Sequence, residues 1–301
     1  MNTKKIVFTP SVTKKGTYGL CNFEEDLVFY KDNIKYANNE KEDIKKMEFE
    51  YSPVILIDKK KNISYFEFDN DIYNNTLYDS LYFKGKYWNK RKLWFNKLEN
   101  GIKRNFKMLT FSESMSKKFF IDRLSLIKDS KKVSTNKNIL DEVESVIRNI
   151  DDYIFRAYIS NGDLTDTNIC FNNKICDTEC LGYNIVIGDL AILFVSILYG
   201  GWIYPKYNYN AYMFRKNKIV LPHKRLNRRQ IDILKRVISI VKSVEFDTFK
   251  KLVIFRLITP ISMKIMDEDD RKSVDDLIRL IYISDYNTIL KNICNYFKNV
   301  F

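Results

Sequence analysis

Residues 161–190, NGDLTDTNICFNNKICDTECLGYNIVIGDL, restrict what this chain can fold into more than any other stretch. Asp163 is followed five positions later by Asn168, and nine positions after that by Asp177. Two short apolar stretches, Ile169 to Phe171 and Ile175 to Cys176, lie between them and can pair as a hairpin. That hairpin would return Asp177 to the side of the loop from Asp163 to Asn168. One carboxylate could then accept a hydroxyl proton while an amide oxygen and a second carboxylate hold Mg²⁺ on a nucleotide, which is what a phosphoryl-transfer site needs. A lone D-x-x-x-x-N would mean little in a chain rich in Asn and Asp, because both collect in turns by bonding their own backbone. The weight lies in the ordered set. Directly after it, Leu190 to Leu198 is apolar but for Ser196, far shorter than a membrane span, and reads as a buried helix.

In order and spacing this segment resembles the aminoglycoside phosphotransferase and choline kinase group of small-molecule kinases. Their loop runs H-G-D-x-x-x-x-N and continues to an I-D-x-E segment. Asn161, Gly162, Asp163, Leu164 and Asn168 fit the first motif, with Asn161 where the group has His. Cys176, Asp177, Thr178 and Glu179 fit the second, and Gly188, Asp189, Leu190 and Ala191 resemble the G-x-D-L-A start of the helix that follows. That His supports the loop by hydrogen bonding, and an Asn both donates and accepts. The resemblance implies an α+β, two-lobed protein-kinase-like fold with a small β-rich N-terminal lobe and a larger, mostly helical C-terminal lobe. It implies transfer of the γ-phosphoryl group of ATP or GTP to a hydroxyl of a sugar, aminoglycoside, choline-like or glycan-related acceptor. Asp163 would be the proton acceptor, with Asn168 and Asp177 as the Mg²⁺ ligands.

The rest of the chain fits that order. Ile6 to Phe8, Leu27 to Tyr36, Val54 to Ile57 and Ile63 to Phe68 read as strands, rich in β-branched and aromatic residues. A charged helical stretch from Asn39 to Glu50, closed by Pro53, interrupts them. Residues 1–70 are therefore expected to form the N-terminal nucleotide-binding lobe. Lys14 to Gly19, KKGTYG, is a sparse glycine-rich loop in which Gly16 and Gly19 would let backbone amides approach phosphates. Lys35, rather than Lys31, is the expected phosphate-contacting lysine, with Glu42 or Glu40 as its partner. Residues 71–301 are expected to form the helical lobe, carrying the catalytic loop at 161–168 and the metal-binding segment at 175–179. Helical spacing recurs in Ile231, Leu234, Val237, Ile238 and Val241, in Phe246 to Ile258, in Val274 to Ile283 and in Ile289 to Phe297, with Pro222 and Pro260 as punctuation.

Composition bounds the remaining classes. With 301 residues and 45% apolar content the chain can bury a large core, and no run of residues approaches the length of a membrane span. The start, MNTKKIVFTP, lacks the apolar stretch of a secretory signal. Five cysteines, at 21, 170, 176, 180 and 294, lack framework spacing and read as reduced thiols in a cytoplasm. Cys170, Cys176 and Cys180 lie near the motif with His223 the sole histidine, but their spacing is not that of a zinc cluster. The net charge of +13 concentrates between Lys84 and Lys132, which holds 15 Lys or Arg against 4 Asp or Glu. Trp88, Leu93, Trp94, Leu98 and Ile102 there follow helical spacing, and Phe95, Phe106 and Phe119 are interleaved as well, so amphipathic helices with solvated basic faces are expected. The charge also suits an anionic partner.

Two other function classes compete with the kinase reading: a catalytically inactive pseudokinase scaffold, and a nucleic-acid-binding protein built round the basic stretch 84–132. A scaffold has no need of Asp163, Asn168 and Asp177 together, and no nucleic-acid motif is present. Glu179 and Asp189 could face a cationic acceptor, with Asp189 alternatively the N-cap of a helix starting at Leu190. The aromatic run Gly200 to Tyr207 reads as core packing that could also line an acceptor pocket.

Overall fold

The computed structural model of the chain describes residues 4–9, 18–23, 26–32, 50–51, 54–58, 63–67, 77–82, 91–104, 106–114, 120, 137–150, 153–166, 168–169, 174–175, 182–198, 226–262 and 268–299. In several elements, including all strands up to residue 67, the description is of the backbone.

Strands β1 (Lys4–Thr9), β2 (Tyr18–Phe23), β3 (Asp26–Asp32), β5 (Val54–Asp58) and β6 (Ile63–Glu67) form one antiparallel sheet in the order β1-β2-β3-β6-β5. β2 was not expected as a strand. Gly19, assigned above to a phosphate-binding loop, is its second residue, paired with Phe8 on one side and Tyr30 on the other. In the run YGLCNF, Tyr18, Leu20, Cys21 and Phe23 around the glycine sustain a strand through it. The short β4 (Glu50–Tyr51) takes Glu50 out of the expected helix and pairs in parallel with β9 (Lys174–Ile175). Gly16, Lys35, Glu42, Glu40 and most of the expected helix 39–50 lie outside the described residues.

From residue 77 onward helices dominate: α1 (Leu77–Tyr82), α2 (Arg91–Arg104), α3 (Lys137–Arg148), α4 (Val186–Leu198), α5 (Arg228–Ile240), α6 (Phe246–Ser262), α7 (Glu268–Ile283) and α8 (Ile289–Asn299). Within this mostly helical region lies a three-stranded antiparallel sheet that was not expected. It consists of β7 (Lys107–Thr110), β8 (Ile154–Ser160) and β10 (Gly182–Ile185), in the order β10-β8-β7. β8, IFRAYIS, is short and buried along most of its length, so it lacks the alternation that marks a half-exposed strand.

The core gathers around α4 and α6. Every residue of α4 is buried, as a helix with no polar stripe must be. α6 packs against α4, α3 and α7, and buries Phe249 and the whole run Leu252–Ile258. Phe120, Phe194 and Phe255 lie in this core; Phe120 stacks 5.4 Å from Phe255, and Phe194 meets Phe249 edge-on. Full burial of a side chain of this size contributes about 1.5–3 kcal/mol. Pro260 lies inside α6 rather than ending it, two residues before its last residue. α5 starts at Asn227, whose side chain accepts from the Gln230 N–H at 3.0 Å while Gln230 Oε1 accepts from the Asn227 N–H at 2.9 Å.

In the basic stretch, α2 buries Trp94, Phe95, Leu98, Gly101 and Ile102 and turns its cations outward. Leu93 and Phe106, counted above with the apolar set, are about half exposed, because one helical step of 100° carries Leu93 off the buried stripe. Trp88 and Phe119 lie outside the described residues. α2 and α5 flank an open groove of about 590 Å³ where Arg91, Lys92, Lys235 and Arg236 converge around Asp232. Among the described residues no helix is long and apolar enough to cross a membrane.

Candidate active site

β8 delivers the chain into the loop that holds Asp163. The turn needs a residue in the left-handed region, and Gly162 takes it with φ 70°, a conformation that costs other residues about 1–2 kcal/mol. Three donors converge on the Asp163 carbonyl oxygen: the Thr165 N–H at 2.8 Å, Asn168 Nδ2 at 2.9 Å and Asn161 Nδ2 at 3.3 Å. Asn161, standing where the resembled group has His, thus supports the loop from within, and it is fully buried. Asn168 Nδ2 also lies 3.2 Å from Asp163 Oδ2, so these two residues are within hydrogen-bond reach of each other. The Asp163 side chain keeps about a quarter of its surface exposed, enough to meet a ligand.

Helix α4 is the floor under this loop, and it grips at two points on one face. Asp189, in its first turn, accepts from Tyr158 Oη at 2.9 Å and from Ser160 Oγ. Ser160 Oγ in turn lies 3.3 Å from the Gly162 N–H, which donates to it. Ser196, seven residues and about two turns further on, receives the Asp166 N–H at 3.1 Å. Close packing of helix against strand is set by Gly188, where an added Cβ would come within 2.9 Å of Ile185 Cγ1.

Asp189 therefore neither caps a helix at Leu190 nor faces an acceptor. The helix starts at Val186, and the carboxylate is sealed behind the loop. Its Oδ1 is buried with no hydrogen-bond partner among the described residues. Burial pushes its carboxyl from 3.8 up to about 6; the bonds from Ser160 and Tyr158 pull it down, Asp163 pushes it up and Arg256 pulls it down. Burial also raises the Tyr158 hydroxyl well above the usual tyrosine range.

A residue missed in the sequence stands behind Asp163. Arg256 of α6 is buried, with Nη2 3.8 Å from Asp163 Oδ1 and its guanidinium 5.5 Å from the centre of the Phe120 ring. Its signal was a single charge inside the apolar run LVIFRLI. Of the expected hairpin, Lys174–Ile175 is a strand whose described partner is β4, and the Ile169 carbonyl accepts from the Leu77 N–H at 2.8 Å. Asp177, Glu179, Cys170, Cys176, Cys180, His223 and Gly200 to Tyr207 lie outside the described residues. Within them, no cluster of His, Cys, Asp and Glu could hold a metal alone. What the described loop offers Mg²⁺ is a hard oxygen: Asn168 spends its amide nitrogen on Asp163 and keeps Oδ1 for another partner.

An α+β architecture, with an antiparallel sheet first and a helical remainder wrapped round a D-x-x-x-x-N loop, is the two-lobed protein-kinase-like fold. Solved structures of similar fold include choline kinases. The chain is similar to the crystal structure of LicA in complex with AMP, with 12% identity and a TM-score of 0.50, over 98% of this chain and 92% of that one. Choline kinase LicA from Streptococcus pneumoniae matches at 13% identity and TM-score 0.48, over 98% of this chain and 94% of that one. A choline/ethanolamine kinase family protein from Mesorhizobium loti matches at 12% and 0.47, over 94% and 84%. No family model and no curated protein matches the sequence.

Proposed function

We propose that the chain is a Mg²⁺-dependent phosphotransferase that moves the γ-phosphoryl group of ATP or GTP to a hydroxyl of a small molecule. One observation carries this reading: Asp163 and Asn168 meet within hydrogen-bond reach on a loop bolted to a buried helix, with the carboxylate still open to a ligand. A site that must align a hydroxyl to within fractions of an ångström needs that rigidity. Asp163 accepts the acceptor's proton as the new O–P bond forms and the bond from the γ-phosphorus to the β,γ-bridging oxygen breaks, releasing the nucleoside diphosphate. Asn168 Oδ1 and the Asp177 carboxylate hold Mg²⁺, which when bound neutralises charge on the phosphates. Residues 1–70 form the nucleotide lobe, in which Lys35, steadied by Glu42, contacts the phosphates and the backbone near Gly16 covers them. Residues 71–301 carry the acceptor. AMP in the LicA structure of similar fold supports a nucleotide as donor, and the acceptor class is a sugar, aminoglycoside or choline-like alcohol. Reduced thiols suit a cytoplasmic enzyme.

Intact Asp163 and Asn168 in working geometry favour catalysis over a scaffold. Calorimetry with ATP, with and without Mg²⁺, tests the reading on wild type, Asn168→Ala and Asp177→Ala. ATP binding should strengthen on adding Mg²⁺, Asp177→Ala should remove most of that gain, and Asn168→Ala part of it. Absence of nucleotide binding in the wild type refutes the proposal, and an affinity indifferent to Mg²⁺ and to Asp177 assigns the fold to a pseudokinase.

A further inference from the structure

Arg256 is costly where it stands. It is an always-charged side chain with 4% exposure, set among apolar residues of α6 that are themselves buried. Its charge faces Asp163 Oδ1 at 3.8 Å, beyond hydrogen-bond range, so this pair acts by Coulomb attraction. The other oxygen, Oδ2, is taken by Asn168 Nδ2 at 3.2 Å. The terminal torsion of an aspartate is broad and two-fold, so one anchored oxygen does not fix the plane of the carboxylate. Anchors on both oxygens do. Phe120 lies against the guanidinium and helps hold it in place.

We infer that Arg256 is a positioning residue for phosphoryl transfer, setting the plane of the Asp163 carboxylate from the core side while Asn168 sets it from the loop side. The inference rests on the phosphotransferase reading above. Arg256 is too buried to touch nucleotide or acceptor, so it acts through Asp163. Its loss therefore lowers kcat and spares the KM for ATP. Misplacement of a reacting group by about an ångström costs up to about 10²-fold in rate.

The test compares wild type, R256M, R256K, D163N and the double variant D163N/R256M. The readouts are Mg·ATP turnover with choline as the offered acceptor, with water as acceptor in its absence, and urea midpoints to show folding. R256M should lose about tenfold or more in kcat with its KM for ATP within about twofold of wild type. R256K keeps the charge without the planar fork and should recover part of the loss. In the D163N background, R256M should cost less than about twofold further, because the residue it positions is already disabled. If R256M does not fold, R256K decides, with a several-fold loss in kcat at unchanged KM expected. Wild-type kcat in the Arg256 variants overturns the inference and leaves the phosphotransferase reading standing. So does a rise in KM matching the fall in kcat, or an equal loss with and without Asp163. A wild-type protein that neither binds Mg·ATP by calorimetry nor turns it over overturns that reading and the inference with it.

Discussion

Replacing Asp189 with Asn should change how stability depends on pH. In the unfolded chain this carboxyl titrates near its ordinary 3.8; in the fold, burial pushes it up to about 6. Below pH 4 both states hold the proton, and the residue contributes no pH dependence. Between about 4 and 6 the unfolded chain has released the proton while the folded chain retains it, so unfolding releases a proton and rising pH favours the unfolded state. Above 6 the folded carboxylate ionises too and the penalty levels off. At about 1.36 kcal/mol per pH unit, the gap amounts to about 3 kcal/mol. The amide in D189N keeps the shape and an acceptor oxygen for Tyr158 and Ser160 but does not titrate. Urea unfolding of the two proteins from pH 4 to 7.5 gives the stability of wild type minus that of D189N, in which the other carboxylates cancel. That difference should fall by about 3 kcal/mol as pH rises, nearly all of it below pH 6.5. A difference that is flat across the range, or that rises, refutes the account of Asp189 as a carboxyl whose buried charge is not fully repaid.

Other outcomes follow from the same geometry. Asp163→Asn should lower turnover by about 10²-fold or more while ATP affinity by calorimetry stays near wild type, since only the proton acceptor is removed. Gly162→Ala must adopt φ near 70° with a Cβ, and should lower stability by about 1–2 kcal/mol in urea unfolding and depress kcat as the loop shifts. Reversing Lys92 and Lys235 to Glu in the groove between α2 and α5 should weaken binding to heparin and flatten its salt dependence without altering Mg·ATP affinity, and unchanged heparin binding would reduce that groove to a solvated face.

The sequence showed the loop better than its supports. Gly162, Asp163 and Asn168 stand close together in the chain, so their spacing alone carries their meaning, and the structure brings Asp163 and Asn168 together. Leu190 to Leu198 was legible as a buried helix because nothing polar breaks the run but Ser196. Four things were not legible. β8 is buried along most of its length and shows no alternation; Gly19 sits in a strand although glycine usually signals a turn; Asp189 looks like a cap until Tyr158 and Ser160, some 30 residues earlier, are folded onto it. Arg256 pairs with Asp163 across more than 90 residues, and no local pattern announces a contact of that span. Long-range polar pairs are made by the fold rather than by sequence periodicity.

The helix beneath the loop has a consequence for how the protein opens. Binding loops are commonly the first parts of a protein to come loose, since few buried contacts hold them. Here the loop amide of Asp166 is bonded to Ser196, in a helix that has no solvent-facing side. To release that amide together with Ser196 the helix must draw Phe194 away from Phe249, and that is disassembly of the core itself. In hydrogen exchange, therefore, the Asp166 amide should fall silent with the slowest amides of α4 and α6. Denaturant should release all three together, so that the catalytic loop and the hydrophobic interior melt as one unit.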